Sequence, residues 1–78
     1  MRIKVVGKRA VSFQDQRTGN TIAGTSYTYL YEDQNIEGYG ADKVFIRDGY
    51  HSPFIVGGEY DVFFNRHGKI DLDNIQSR

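Results

Sequence analysis

Few residues in this chain are arranged for covalent chemistry. Asp71 and Asp73 are two apart, a spacing that brings two carboxylates to one face of a strand, but the polar outward side of an ordinary strand has the same pattern. His51 and Ser52 are adjacent, with no third residue identifiable as the orienting member of a triad. His67 precedes a glycine, where a turn is the simpler role, and GYGAD lacks the strand–turn–helix setting that makes a glycine-rich loop a phosphate cradle. There is no cysteine, and His51 and His67 are too far apart for a short metal-binding motif. The expectation is a protein with no catalytic residue, no metal and no cofactor.

Binding asks for less: flat rings to stack on, cations to meet phosphates, and a groove between them. KVFIR, residues 43–47, supplies all but the groove. If Val44 and Ile46 point inward on a strand, then Lys43, Phe45 and Arg47 point outward as cation, ring, cation. TSYTYLYED, residues 25–33, places Tyr27, Tyr29 and Tyr31 at alternate positions, so all three rings share one face. That row reads as part core wall and part stacking platform, with one ring buried, another at the groove and the third committed to a dimer contact. Tyr39, Tyr50 and Phe54 fall in loops, where rings are either pinned beneath the chain or offered to a ligand, and Phe63 faces away from Phe64. With Arg17 in an early hairpin and Arg66 and Lys69 in a late one, these residues form a candidate basic, aromatic groove.

The elements that must position them are strands. Proline occurs once and glycine nine times, no helical apolar period lasts more than a turn, and β-branched and aromatic residues come in short runs between turn signals. A first strand spans 3–13 with a bend or bulge at Gly7, and DQRTGN forms a hairpin loop with Gly19 at positive φ. A second strand spans 21–32, followed by an acidic exposed loop holding Tyr39, and a third spans 43–47. An irregular connection crosses Ser52-Pro53 and Gly57-Gly58. Strands over 59–65 and 69–75 then flank Arg66-His67-Gly68. The spacing predicts one domain, 1–78, with an all-β fold: a small five-stranded Greek-key barrel of OB type, for which an SH3-like barrel is the alternative. Alternation predicts an inner set of Ile3, Val5, Val44, Ile46, Tyr60, Val62, Phe64, Ile70 and Leu72.

A chain of 78 residues buries only a thin core, which a partner subunit would reinforce. Formal net charge is zero, against polyanion binding driven by total charge. The distribution is uneven: residues 1–17 carry Arg2, Lys4, Lys8, Arg9 and Arg17 against Asp15 alone, and residues 18–42 carry Glu32, Asp33, Glu37 and Asp42 without a cation. No segment is apolar for the roughly 20 residues that span a bilayer, and the amino terminus has no signal-peptide pattern, so no membrane role is expected and the chain reads as cytoplasmic.

Taken together, a basic amino-terminal strand, the hairpin QDQRTGNT, a strand ending YLYED and the segment GGEYDVFFNRHGKIDLDNI resemble the small single-stranded DNA-binding proteins of filamentous phages, over about residues 10–75. The resemblance implies a dimeric OB-type barrel that coats single-stranded DNA without sequence preference, in replication of a phage or mobile element inside a bacterial cell. It makes Arg17 a basic hairpin residue, Tyr39 an exposed loop ring, and Phe63 or Arg66 a residue of the last hairpin. Ile22 and Gly24 depart from the pattern, standing where the family offers an aromatic and an apolar contact. The expected nucleic-acid-binding set is Arg17, Tyr27, Tyr29, Tyr39, Lys43, Phe45, Arg47, Phe63, Arg66 and Lys69, acting on single-stranded DNA or, since stacking tolerates a 2′-hydroxyl, RNA. The alternative is a small β-barrel interaction module whose aromatic surface docks a partner protein, a use that suits a neutral surface.

Overall fold

β1 (Arg2–Gln14) and β2 (Thr21–Tyr31) form a long antiparallel hairpin, closed by a turn in which the Asp15 carboxylate accepts the Arg17 N–H at 2.9 Å and Gly19 takes φ 75°. A strand of 13 residues spans about 43 Å at roughly 3.3 Å per residue, and the molecule measures 42 × 25 × 23 Å. The hairpin therefore sets the long axis. β3 (Gly40–Arg47) lies along β2 over its whole length, while β4 (Glu59–Asp61) pairs only with residues 2–4 of β1, and β5 (Gln76–Ser77) pairs with β4. The computed structural model, which describes residues 1–78, is thus an all-β protein with one antiparallel sheet in the order β3-β2-β1-β4-β5. No helix is long and apolar enough to cross a membrane.

The register of β1 on β2 shifts between Val5 and Gly7, where the sequence predicts a bulge. The shift reverses the phase of the strand. Before it, Ile3 and Val5 face the core; after it, Lys8, Ala10 and Ser12 take that side, and Arg9, Val11 and Phe13 face outward. On β2 the odd residues face inward and the even residues outward; on β3 the parity is reversed.

The core contains Ile3, Val5, Tyr27, Tyr29, Ile46, Phe54, Tyr60, Val62 and Ile70, with Tyr31, Val44 and Ile75 packed at its margin. The connection between β3 and β4, too short for a helix, closes the sheet's inner face by inserting Phe54 between Tyr27, at 5.4 Å, and Tyr60, at 5.1 Å and nearly edge-on. The phenol oxygens beneath it are used. Tyr27 accepts from the Ser52 hydroxyl at 2.9 Å, and Tyr60 accepts from the Ile55 N–H at 2.8 Å, which fastens the loop at two points. Gly40 and Gly58 are needed here, because a Cβ at either would strike the ring of Tyr31 or Tyr60.

Three expectations are corrected. The strand over 69–75 does not form; only a bridge between Phe64 and Ile70 remains, and the fifth strand is Gln76–Ser77. The cause is local competition from side chains. Asn65 Oδ1 accepts the N–H groups of His67 and Lys69, and Asp71 Oδ1 accepts the N–H of Asp73, which curls both segments into turns. As a result Phe64 and Leu72, expected inside, are 49% and 37% exposed. The sheet also stays open, since β3 and β5 end it without pairing.

Candidate nucleic-acid interface

The two faces of the β1–β2–β3 sheet differ in what covers them. Tyr27 and Tyr29 are 7% and 3% exposed and so present no ring face to solvent, which removes them as stacking residues. Tyr31 lies half-buried beside Tyr29, with ring centroids 6.2 Å apart. The tyrosine row is wall. Burial, with the neighbouring Asp42 carboxylate and Tyr31 as smaller causes, raises the Tyr29 phenol above its ordinary value of 10.0.

The outer face is uncovered and carries a different composition. Its rows run Gly7–Thr28–Lys43, Arg9–Ser26–Phe45 and Val11–Gly24–Arg47, with Phe13 and Ile22 next. Phe45 lies across Gly24, where a Cβ would come within 2.6 Å of the ring and would also strike the Ile46 carbonyl. The missing side chain of Gly24 is what lets the ring lean over β2 towards Phe13, to a centroid distance of 6.0 Å at 52°. Phe13 remains 48% exposed and Phe45 37%. An exposed aromatic pair spanning the outer face from β3 to β1 is thereby flanked by Arg9, Lys43 and Arg47, with Arg9 about 10 Å from the Phe45 strand position, two strand spacings away.

Charge on this face is one-sided. Across β1, β2 and β3 it presents Arg2, Lys4, Arg9, Lys43 and Arg47 and no carboxylate. β4 offsets the near end, placing Asp61 opposite Arg2 and Glu59 opposite Lys4, so the unopposed cations are the three around the rings. The protein's one ion pair, Arg78 to Asp61 at 2.6 Å, involves none of these cations. At the near end Tyr39, exposed as expected, shares a shallow cleft of about 270 Å³ with Arg2, Lys4, Leu30 and Tyr31, along with Glu32 and Glu59.

The remaining expected residues fall elsewhere. Arg17 is exposed at the hairpin tip. Phe63, Arg66 and Lys69 are exposed on the turn segment after β4. Lys69 and Phe64 line an open cleft of about 530 Å³ with Asp42, Lys43, Val44 and Phe45, in the gap where the sheet fails to close. Lys43 and Phe45 border both the outer face and this cleft, and connect the two. Tyr50 is exposed in the β3–β4 connection, in the turn where its N–H bonds the Arg47 carbonyl.

Arg9 and Phe13 are the members of this surface that sequence reasoning missed. Alternation carried straight through Gly7 assigns both to the face of Ile3 and Val5. The bulge reverses that assignment, and the glycine was the signal for it.

No family model, no curated protein and no solved structure matches the chain.

Proposed function

We propose that this protein binds single-stranded nucleic acid, in the first place single-stranded DNA and without sequence preference, through the outer face of the β1–β2–β3 sheet. The observation that carries the reading is the Phe13–Phe45 pair seated over Gly24 and surrounded by Arg9, Lys43 and Arg47 with no carboxylate among them. Unpaired bases stack on the rings while the cations neutralise the backbone and release counterions. A ring face accepts any base, so the arrangement selects single strands over duplexes rather than one sequence over another. In this reading the open sheet is an incomplete OB-type barrel, the gap beside β3 lets the strand continue past Lys43 towards Lys69, and the protein works as a homodimer in the replication of a phage or mobile element within a bacterial cell. No group on this face is arranged for covalent chemistry, which fits a coating role.

A second reading, docking of a partner protein, has one observation in its favour: Tyr50, Ile55 and Val56, three large apolar residues of the β3–β4 connection, are all exposed.

Fluorescence anisotropy of a labelled oligothymidine, titrated at two salt concentrations beside a duplex of equal length, separates the two. With three phosphates neutralised per protomer, log K should fall against log salt with a slope of about −2 per protomer bound, at roughly −0.7 per phosphate, and the duplex should bind far more weakly. Absence of single-strand binding at low salt removes the first reading and leaves the second.

A further inference from the structure

β1 is the longest strand, but β4 covers only its first three residues. Val5 exchanges hydrogen bonds with Gly57 and Gly58, and beyond it nothing pairs with the second edge of β1. The Asp15 N–H bonds Asn20 across the hairpin. In an antiparallel ladder this phase turns the backbone groups of Arg9, Val11 and Phe13 towards β2 and those of Lys8, Ala10, Ser12 and Gln14 outward. Four consecutive donor–acceptor sites are thus left open on an exposed edge. Sheet edges are ordinarily guarded by proline, a bulge or an inward-pointing charge. Here the bulge at Gly7 and the inward Lys8 mark one end of the run, and the rest, RAVSFQ, has no guard.

We infer that this edge, Lys8–Gln14, is the surface through which two copies of the chain join, by antiparallel pairing of β1 with β1. The occupant follows from the sequence of the edge itself. Outward-facing residues can pair only with outward-facing residues, and the one register that uses all four is centred on Val11: Lys8 then bonds Gln14 of the second copy, and Ala10 bonds Ser12. On the outer face, Val11 meets Val11, and Arg9 meets Phe13 of the second copy, a cation against a ring. No like charges oppose one another, so the edge is complementary to itself. The twofold axis of an antiparallel pair is normal to the sheet, so the outer faces of both copies lie on one side. The result is a continuous six-stranded surface carrying both Phe13–Phe45 pairs and both sets of cations.

This deepens the dimeric part of the function proposed above, and its test needs no nucleic acid, so the two fail separately. Light scattering on the full chain, from micromolar to millimolar concentration, should show twice the 8.9 kDa chain mass. Ala10→Pro removes an N–H that the single chain leaves unbonded, a position where edge strands tolerate proline, and should give a folded monomer. Val11→Cys should form an intermolecular disulfide on mild oxidation, because facing Cα atoms at a non-hydrogen-bonded pair are about 4.5 Å apart, within disulfide range; the chain has no other cysteine. Ser12→Cys, off the axis, should cross-link much less. A wild-type monomer throughout the range overturns the inference. So does a dimer in which Val11→Cys fails to cross-link, whether or not Ala10→Pro folds.

Discussion

The two faces of one three-stranded sheet carry aromatic rings at similar density and put them to opposite uses. On the inner face, Tyr27 packs against Phe54 of the β3–β4 connection and Tyr29 against Tyr31, both are buried in the core, and the hydroxyl of Tyr27 is bonded to the loop that covers it. On the outer face, Phe13 and Phe45 lack a polar atom, have no segment above them, and stand among cations. Residue type alone points the wrong way, since tyrosine is the ring more often left at a surface and phenylalanine the one more often buried. What separates the wall from the proposed platform is the cover on one side and the charge on the other.

The comparison breaks most sharply at Phe54, the residue that makes the inner face a core. Phe54→Ala should cost about 3–5 kcal/mol, a large part of the stability of a domain this size, read as a lower urea midpoint. Phe45→Ala should do the reverse. It should leave the urea midpoint nearly unchanged and weaken oligothymidine binding by about 1–3 kcal/mol, the worth of one base–ring stack. A Phe45→Ala protein that unfolds easily but binds normally would exchange the roles of the two faces.

Charge sharpens the same contrast. Arg47→Gln should reduce the salt slope of single-strand binding by about 0.7, one phosphate contact, with little change in stability. Tyr27→Phe should cost about 1 kcal/mol of stability through the lost Ser52 hydrogen bond and nothing in affinity.

The smallest effect concerns Tyr29. Its folded pKa is raised above 10.0 by burial first and by Asp42 and Tyr31 after it. Above the unfolded value the unfolded chain has released the proton that the folded chain retains, so stability is full below about pH 10 and declines as pH rises through the folded value. Tyr29→Phe should flatten that alkaline decline in thermal melts recorded between neutral pH and strong alkali.

Much of this was legible in the sequence, and the limits of legibility have physical causes. The first three strands, the Gly7 bulge, the Gly19 turn and the outward set Lys43, Phe45 and Arg47 follow from alternation and turn chemistry, because each depends on neighbours in the chain. The strand expected over 69–75 failed where side chains competed with the ladder: Asn65 and Asp71 each hold turns that apolar alternation does not register. The tyrosine row could not be assigned, since Ser26, Thr28 and Leu30 make the opposite face of β2 neither clearly core nor clearly solvent. For Tyr27 the distant Phe54, brought by a loop with no regular structure, decides it. Arg9 and Phe13 were left unassigned, because a bulge expected at Gly7 does not by itself say which face the residues beyond it take.

The most direct test of the central claim is an NMR titration of the labelled protein with oligothymidine. Perturbations gathered on Arg9, Phe13, Gly24, Lys43, Phe45 and Arg47, with Tyr27 and Tyr29 silent, are the predicted result. Perturbations confined to the segment from Tyr50 to Val56, or none at saturating oligonucleotide, would contradict it.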